Sequence, residues 1–181
     1  MIYHKLNKII FSALCIVSMV ACSTKTTTPD LNTTKKYAYI INIDINASKE
    51  KVWNTITNFK NYDKWNSVLK MENNDNLKIG QKFDVTIFED DGSISDTFQA
   101  VTMTKNKYNS FSASQIMLTD GFFKATHHFE IIEISKNKVT FTQKWELSGV
   151  IGYLFKGMII DVLDSFKTMN LELKKEVESN L

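Results

Sequence analysis

The sequence predicts an α+β domain in which a curved antiparallel sheet wraps around one long C-terminal helix. Three observations predict it. A strand-like segment and two short helical segments come first. A period of two then runs from Val68 to Leu147 with only short breaks. A single wide apolar stripe of helical period closes the chain. Strands gathered in sequence with helices at the ends argue for α+β, and short breaks argue for antiparallel hairpins.

Each element has a local reason. Tyr37, Tyr39, Ile41, Ile43 and Ile45 alternate with Ala38, Ile40, Asn42 and Asp44, as a half-buried strand requires. Ser48 follows as a helix N-cap, and Lys49 to Thr57 places Val52, Trp53 and Ile56 on one helical face. Asn58 to Asn66 gives a second short helical or turn segment, with Phe59, Tyr62 and Trp65 on its apolar side. Strands are expected near Lys70–Asn74, Lys82–Glu89, Ile94–Thr104, Asn109–Leu118, Phe122–Ile134 and Val139–Leu147. The breaks carry turn chemistry at Gly80, Asp90-Asp91-Gly92, Asp120-Gly121 and Ser135-Lys136-Asn137-Lys138. Gly149 to Asn180 reads as the long helix, with Met158, Ile159, Val162, Leu163, Phe166, Met169, Leu173 and Val177 in its stripe. About thirty residues give a helix near 45 Å, long enough to cross a whole sheet.

The residues before the domain read as an address. Lys5 and Lys8 precede a short apolar run, Ile9 to Ala21, which is too short to span a bilayer and has the form of a secretory signal. Met19-Val20-Ala21-Cys22 resembles the bacterial lipobox, with Met19 where leucine is usual. The resemblance implies cleavage before Cys22 and lipid on that cysteine. Residues 1–21 are then a lipoprotein signal peptide, residues 22–36 the lipidated cysteine and a Thr-rich tether containing Pro29, and residues 37–181 the domain. A plain signal peptide or an uncleaved anchor is the alternative. Ser23, rather than Asp, follows the cysteine, which favours the outer membrane or cell surface over retention elsewhere in the envelope.

Charge and cysteine usage narrow the function. Of 181 residues, Lys+Arg number 22 and Asp+Glu 20, and every basic residue is lysine. Loss of Lys5 and Lys8 leaves 20 against 20, a neutral mature chain without the footprint of a nucleic-acid binder. The two cysteines, Cys15 and Cys22, both precede the domain, which therefore has no disulfide, thiolate nucleophile or zinc-thiolate site.

A set of local motifs carries a resemblance. They are Ile43-Asp44-Ile45-Asn46-Ala47-Ser48-Lys49-Glu50-Lys51-Val52-Trp53, Phe59-Lys60-Asn61-Tyr62-Asp63-Lys64-Trp65-Asn66, His127-His128-Phe129-Glu130, Trp145-Glu146-Leu147-Ser148-Gly149, and the helix end Leu171 to Glu178. In this order they resemble the helix-grip arrangement of the START-like (SRPBCC) superfamily, most closely its polyketide cyclase/dehydrase-type branch. The resemblance covers Tyr37 to the C-terminus. Ser67 stands where that family usually has proline after Trp-Asn. The resemblance implies a cavity between sheet and helix that takes an apolar small molecule, with Trp53 and Trp65 near the helices that close one end. One fold hosts many activities, so the resemblance specifies fold more than function.

The residues supply candidates for such a cavity. Phe83 and Val85 share a face with Ile87. His127 and Phe129 share one with Phe123, Ala125 and Ile131. Phe141, Gln143 and Trp145 share one with Val139 and Leu147. Met158, Val162 and Phe166 face them from the helix stripe. The other reading of these faces is a filled core. His127 and His128 are adjacent on a strand and point to opposite faces, so they cannot hold one metal together. His127 is the inward one, and it carries hydrogen bonding to a ligand, base chemistry or a plain core role. Gln143 and Trp145 are its expected neighbours across the hairpin. Asp90-Asp91 and the Asp161/Asp164 pair are expected at the surface. Ser110, Ser112 and Ser114 lack a nucleophile elbow, and Gly149, Gly152 and Gly157 form no phosphate loop.

The expectation is a membrane-anchored lipoprotein of the bacterial envelope, a monomer without metal or cofactor, whose domain binds or carries a lipid, quinone or aromatic metabolite. The alternatives are a polyketide cyclase/dehydratase-like enzyme using His127 and Gln143, and an envelope interaction module. No residue set compels an enzyme.

Overall fold

The computed structural model describes residues 37–72, 77–117, 119, 121–150, 152 and 156–179, with side chains from 38 onward and, in the last helix, from 163. The segments expected to be a signal peptide and a tether, with Cys22, lie outside the described residues. So do the side chains of Met158, Asp161 and Val162.

The chain begins with β1 (Tyr37–Ile45), α1 (Lys49–Ile56) and a short 3-10 helix (Phe59–Lys64). It continues with β2 (Leu69–Glu72), β3 (Lys82–Phe88), β4 (Ile94–Asn106), β5 (Ser110–Met117), β6 (Phe123–Ser135) and β7 (Lys138–Ser148), and ends with α2 (Lys156–Glu178). The seven strands form one antiparallel sheet in the order β1-β7-β6-β5-β4-β3-β2. Sequential strands are neighbours except β1, which pairs with the last strand. The expected α+β arrangement is present, with strand positions close to those read from the alternation.

One boundary differs clearly from expectation. The long helix starts at Lys156 rather than Gly149, so its 23 residues make a rod of about 35 Å. Gly149 ends β7 in the left-handed region (φ +96°), and a Cβ there would sit 2.5 Å from the Phe122 carbonyl oxygen. The backbones of the β5–β6 turn and the end of β7 thus meet at a point that admits only glycine.

Local chemistry fixes the entrance to the sheet. The Ser48 hydroxyl accepts from Lys51 N–H and caps α1. The buried Tyr62 hydroxyl donates to the Ile56 carbonyl at the other end of α1. The buried Asn66 side chain accepts from the N–H groups of Val68 and Leu69 and donates to the Leu69 carbonyl, which sets the turn into β2.

The core lies between the concave face of the sheet and α2. Phe166, Met169, Leu173 and Val177 are buried on the helix, in one core with Ile131, Val139, Phe141 and Trp145 of the sheet. The C-terminal half of α2 is also fastened at its edges. Glu172 accepts from both the N–H and the hydroxyl of Ser67, at 3.0 and 2.6 Å. Lys174 donates to the Asp44 carbonyl, and Glu178 accepts from Asn46 N–H and Lys174. Trp53, Phe59 and Phe111 pack edge to face at the end of the sheet covered by α1. Trp53 is in the core, and Trp65 packs on Tyr62. Together they act as the hydrophobic plug expected of this region.

Candidate functional site

Between the sheet and α2 lies a partly open cavity of about 140 Å³. An engineered apolar cavity of about 150 Å³ holds a benzene-sized molecule, so this space suits a compact apolar group. Its wall is drawn from inward-facing positions of β2 to β7 and from Phe166 of α2.

Of the residues singled out from sequence, Phe83, Val85, His127, Phe129, Trp145 and Phe166 line this wall. Gln143 and Phe141 do not. Both face inward as the alternation requires, but both are fully buried beneath α2. The helix runs antiparallel to β7, so Asn170 lies over Gln143 and Leu173 falls one turn further, toward Phe141. The concave face is therefore cavity near Trp145 and filled core near Phe141. The alternation of a strand gives the face of a residue but not its depth under the helix. Met158 and Val162 lie outside the described side chains.

His127 is the polar centre of the wall. Its ring is stacked on Trp145 at 4.2 Å, lies against Phe129 at 4.0 Å and meets the edge of Phe166 at 5.0 Å. Its Nε2 is 2.8 Å from Gln143 Oε1, while Gln143 Nε2 donates to Asn170 Oδ1 at 2.7 Å. With the amide in this orientation, the imidazole carries its proton on Nε2 and donates it to Gln143. Nδ1 is left as a lone-pair acceptor with no protein partner among the described residues. Desolvation drives the His127 pKa down to about 3, against the smaller opposing effect of the Gln143 hydrogen bond, and His128 pushes it further down. The imidazole is thus neutral at physiological pH.

Two polar wall residues were not picked out from the sequence. Asp96 on β4 lines the cavity, and burial raises its pKa although the carboxylate accepts from Thr97 N–H. Gln115 on β5 also lines it. The signal for Asp96 was present, since Phe98 and Ala100 alternate with it on one face. Register shifts at Ser95 and at Thr102/Thr104, and the buried hydroxyl residues Ser95, Thr102, Ser112 and Ser114, obscured that phase. Ser112 and Ser114 pair with Thr104 and Thr126 on the outer face, as small hydroxyls packed into the sheet rather than nucleophiles.

His128 points away from His127, to the outer face, 3.4 Å from a Glu146 carboxylate oxygen. Among the described residues no three His, Cys, Asp or Glu side chains are grouped as a metal site would need. Among them, too, no helix is long and apolar enough to cross a membrane.

No protein-family model matches the sequence, and no curated protein matches it. Solved structures do resemble it in fold. Norcoclaurine synthase from Thalictrum flavum, in complex with dopamine and hydroxybenzaldehyde, superposes with a TM-score of 0.59 at 10% identity, covering 88% of this chain and 96% of that one. A START superfamily protein from Mycobacterium smegmatis gives 0.55 at 15% identity, covering 80% and 99%. The di-domain ARO/CYC StfQ of the steffimycin biosynthetic pathway gives 0.57 at 16% identity, covering 80% of this chain and 52% of StfQ. The fold is the helix grip shared by START-like structures and polyketide cyclases.

Proposed function

We propose that this chain is a lipid-anchored envelope protein whose helix-grip domain binds or carries a small, largely apolar, uncharged molecule. The observation that carries the binding reading is the cavity, whose wall, among the described residues, is apolar apart from His127, Asp96 and Gln115. A neutral imidazole with a lone pair on Nδ1 suits a ligand that presents one hydroxyl or N–H donor from an apolar or aromatic body. Hydroxybenzaldehyde, held together with dopamine by norcoclaurine synthase, is a molecule of that kind. Cys22 after its lipobox-like run supports anchoring, and the neutral mature charge leaves the lipid as the means of membrane attachment.

The test is to prepare the chain from Cys22 onward, extract and identify co-purified small molecules by native mass spectrometry, and titrate it with the neutral fluorophore 1-N-phenylnaphthylamine. A bound apolar species or saturable probe binding, competed by that species, is the expected result. A folded protein with neither overturns the binding reading. Anchoring is tested by labelling cells with a radioactive fatty acid, where the wild-type chain takes up label and Cys22→Ala does not.

Chemistry on the ligand is the second reading, favoured by one observation: a raised-pKa carboxyl, Asp96, and a lowered-pKa imidazole, His127, line the same cavity. Groups whose environments move them in this way recur at acid–base sites. Recovery of a ligand unchanged after prolonged incubation speaks against this reading. Its conversion by the wild-type chain, but not by His127→Ala, speaks for it.

A further inference from the structure

We infer that the end of the sheet bearing the cavity is a membrane-docking face, applied to the same bilayer that holds the lipid on Cys22, so that ligand passes directly between cavity and bilayer. The inference rests on the lipid-anchored, ligand-binding reading above and adds an orientation to it.

The strand register carries the argument. Tyr37 pairs with Leu147, Leu147 with Ala125, and Ala125 with Gln115. Those three partners all line the cavity. β1 runs away from this row toward Ile45, so the chain preceding Tyr37 departs from the end of the sheet that the cavity reaches. The opposite end is closed by the plug of Trp53, Phe59 and Phe111.

Fourteen residues, Ser23 to Lys36, separate Cys22 from Tyr37. As a coil they reach roughly 20 Å. The 13 residues of β6 span about 40 Å from one end of the sheet to the other. The near end therefore meets the bilayer with a relaxed tether, whereas the far end requires one drawn almost straight along the domain.

The near end also presents apolar side chains to solvent. Ile94, at the base of the β3–β4 hairpin, is 56% exposed, Ile116 on β5 is 40% exposed and Val150 is 63% exposed. Val150 N–H donates to the Gly121 carbonyl, which brings the end of β7 against the β5–β6 turn. The turns of the far end carry Lys78, Lys107, Asn109, Lys136 and Asn137, with Ile79, 62% exposed, as an apolar side chain beside them. Glu89, Asp90 and Asp91 at the β3–β4 tip oppose an anionic surface, so the contact is apolar and is weakened rather than strengthened by anionic lipid. A competing exposed pair, Ile132 and Ile134, stands on the far half of β6.

The test couples the Cys22 thiol of the chain from Cys22 onward to maleimide-bearing phosphatidylcholine vesicles that contain a gadolinium-chelating lipid. Amide signals are then read by NMR. Selective broadening at Ile94, Ile116 and Val150, with Tyr108 and Lys136 unaffected, is the expected result. Uniform broadening, or broadening centred on Ile132 and Ile134, overturns the inference. In the second arm, Ile94→Gln with Val150→Gln lowers the rate of 1-N-phenylnaphthylamine transfer to the tethered vesicles severalfold while leaving its affinity in solution unchanged. An unchanged transfer rate overturns the inference. Loss of probe binding by the wild-type chain in solution would instead defeat the binding reading, so the two failures are distinguishable.

Discussion

Gln143 on the sheet and Asn170 on the last helix meet side chain to side chain at 2.7 Å, with both residues buried. The pair ties α2 to β7 and, through the other end of the Gln143 amide, fixes the imidazole of His127. Asn170→Leu leaves the Gln143 N–H without its acceptor and is expected to cost about 1–3 kcal/mol in urea unfolding. Adding Gln143→Leu should cost less than it does alone in the wild-type chain. A double-mutant cycle measures this coupling, and strict additivity would contradict it.

The neutral His127 makes stability depend on pH. Its folded pKa lies near 3, below the ordinary 6.5, so between these values the unfolded chain binds a proton that the folded chain does not. Stability is complete above the unfolded value and falls as pH drops from about 6.5 toward 3. Asp44, hydrogen-bonded to Thr140 and Lys138, and Glu178, bonded to Lys174 and Asn46, have lowered pKa values and lose their contributions lower on the scale, as they protonate. Urea unfolding at a series of pH values should show a shallower slope between pH 4.5 and 6.5 in His127→Phe than in the wild-type chain. Proton NMR should find the His127 imidazole uncharged at pH 5.

Asp96 acts in the opposite sense. Its pKa is raised by burial, so the ionised form present at neutral pH is disfavoured in the fold. Asp96→Asn keeps an acceptor for Thr97 N–H and removes the charge. It is expected to raise stability at pH 7 by about 1 kcal/mol or less, because solvent still reaches this side chain. The gain should vanish below the ordinary carboxylate pKa of 3.8, where aspartate is neutral as well. The same variant should bind 1-N-phenylnaphthylamine more tightly at pH 7. Calorimetry at pH 7 and pH 3 checks the first claim and fluorescence titration the second.

Two glycines separate strain from crowding. Gly92 has φ +80° and open space where a Cβ would lie, so Gly92→Ala should cost only about 1–2 kcal/mol of backbone strain. Gly149 adds to a similar φ the contact with the Phe122 backbone, and Gly149→Ala should cost clearly more, about 3 kcal/mol or above. Thermal unfolding of the two variants tests the ranking.

Much of the architecture was legible because the face of a strand follows from alternation alone. Val139, Phe141, Gln143, Trp145 and Leu147 all point inward as read, and His127 is the inward member of its pair. Which inward residues meet space and which meet the helix depends on where α2 lies. That is set by long-range contacts, from Asn170 to Gln143 and from Glu172 to Ser67, that no local pattern encodes. The start of α2 was read too early because the apolar pattern of the helix continues back through Val150, whereas the described Gly149, Val150 and Gly152 are turn residues. Ser67, a departure from the resembled family, proves informative: its N–H, which proline lacks, donates to Glu172.

The stack of Trp145 on His127 gives the cavity an optical signature. An indole lies flat on the one imidazole of the wall, while Trp53 sits in the distant plug and Trp65 on Tyr62. Of the three indoles only one borders the empty space, so a change in its emission reports occupancy against a constant background from the other two. Filling of the cavity and protonation of its wall can thus be followed by light, without any attached dye.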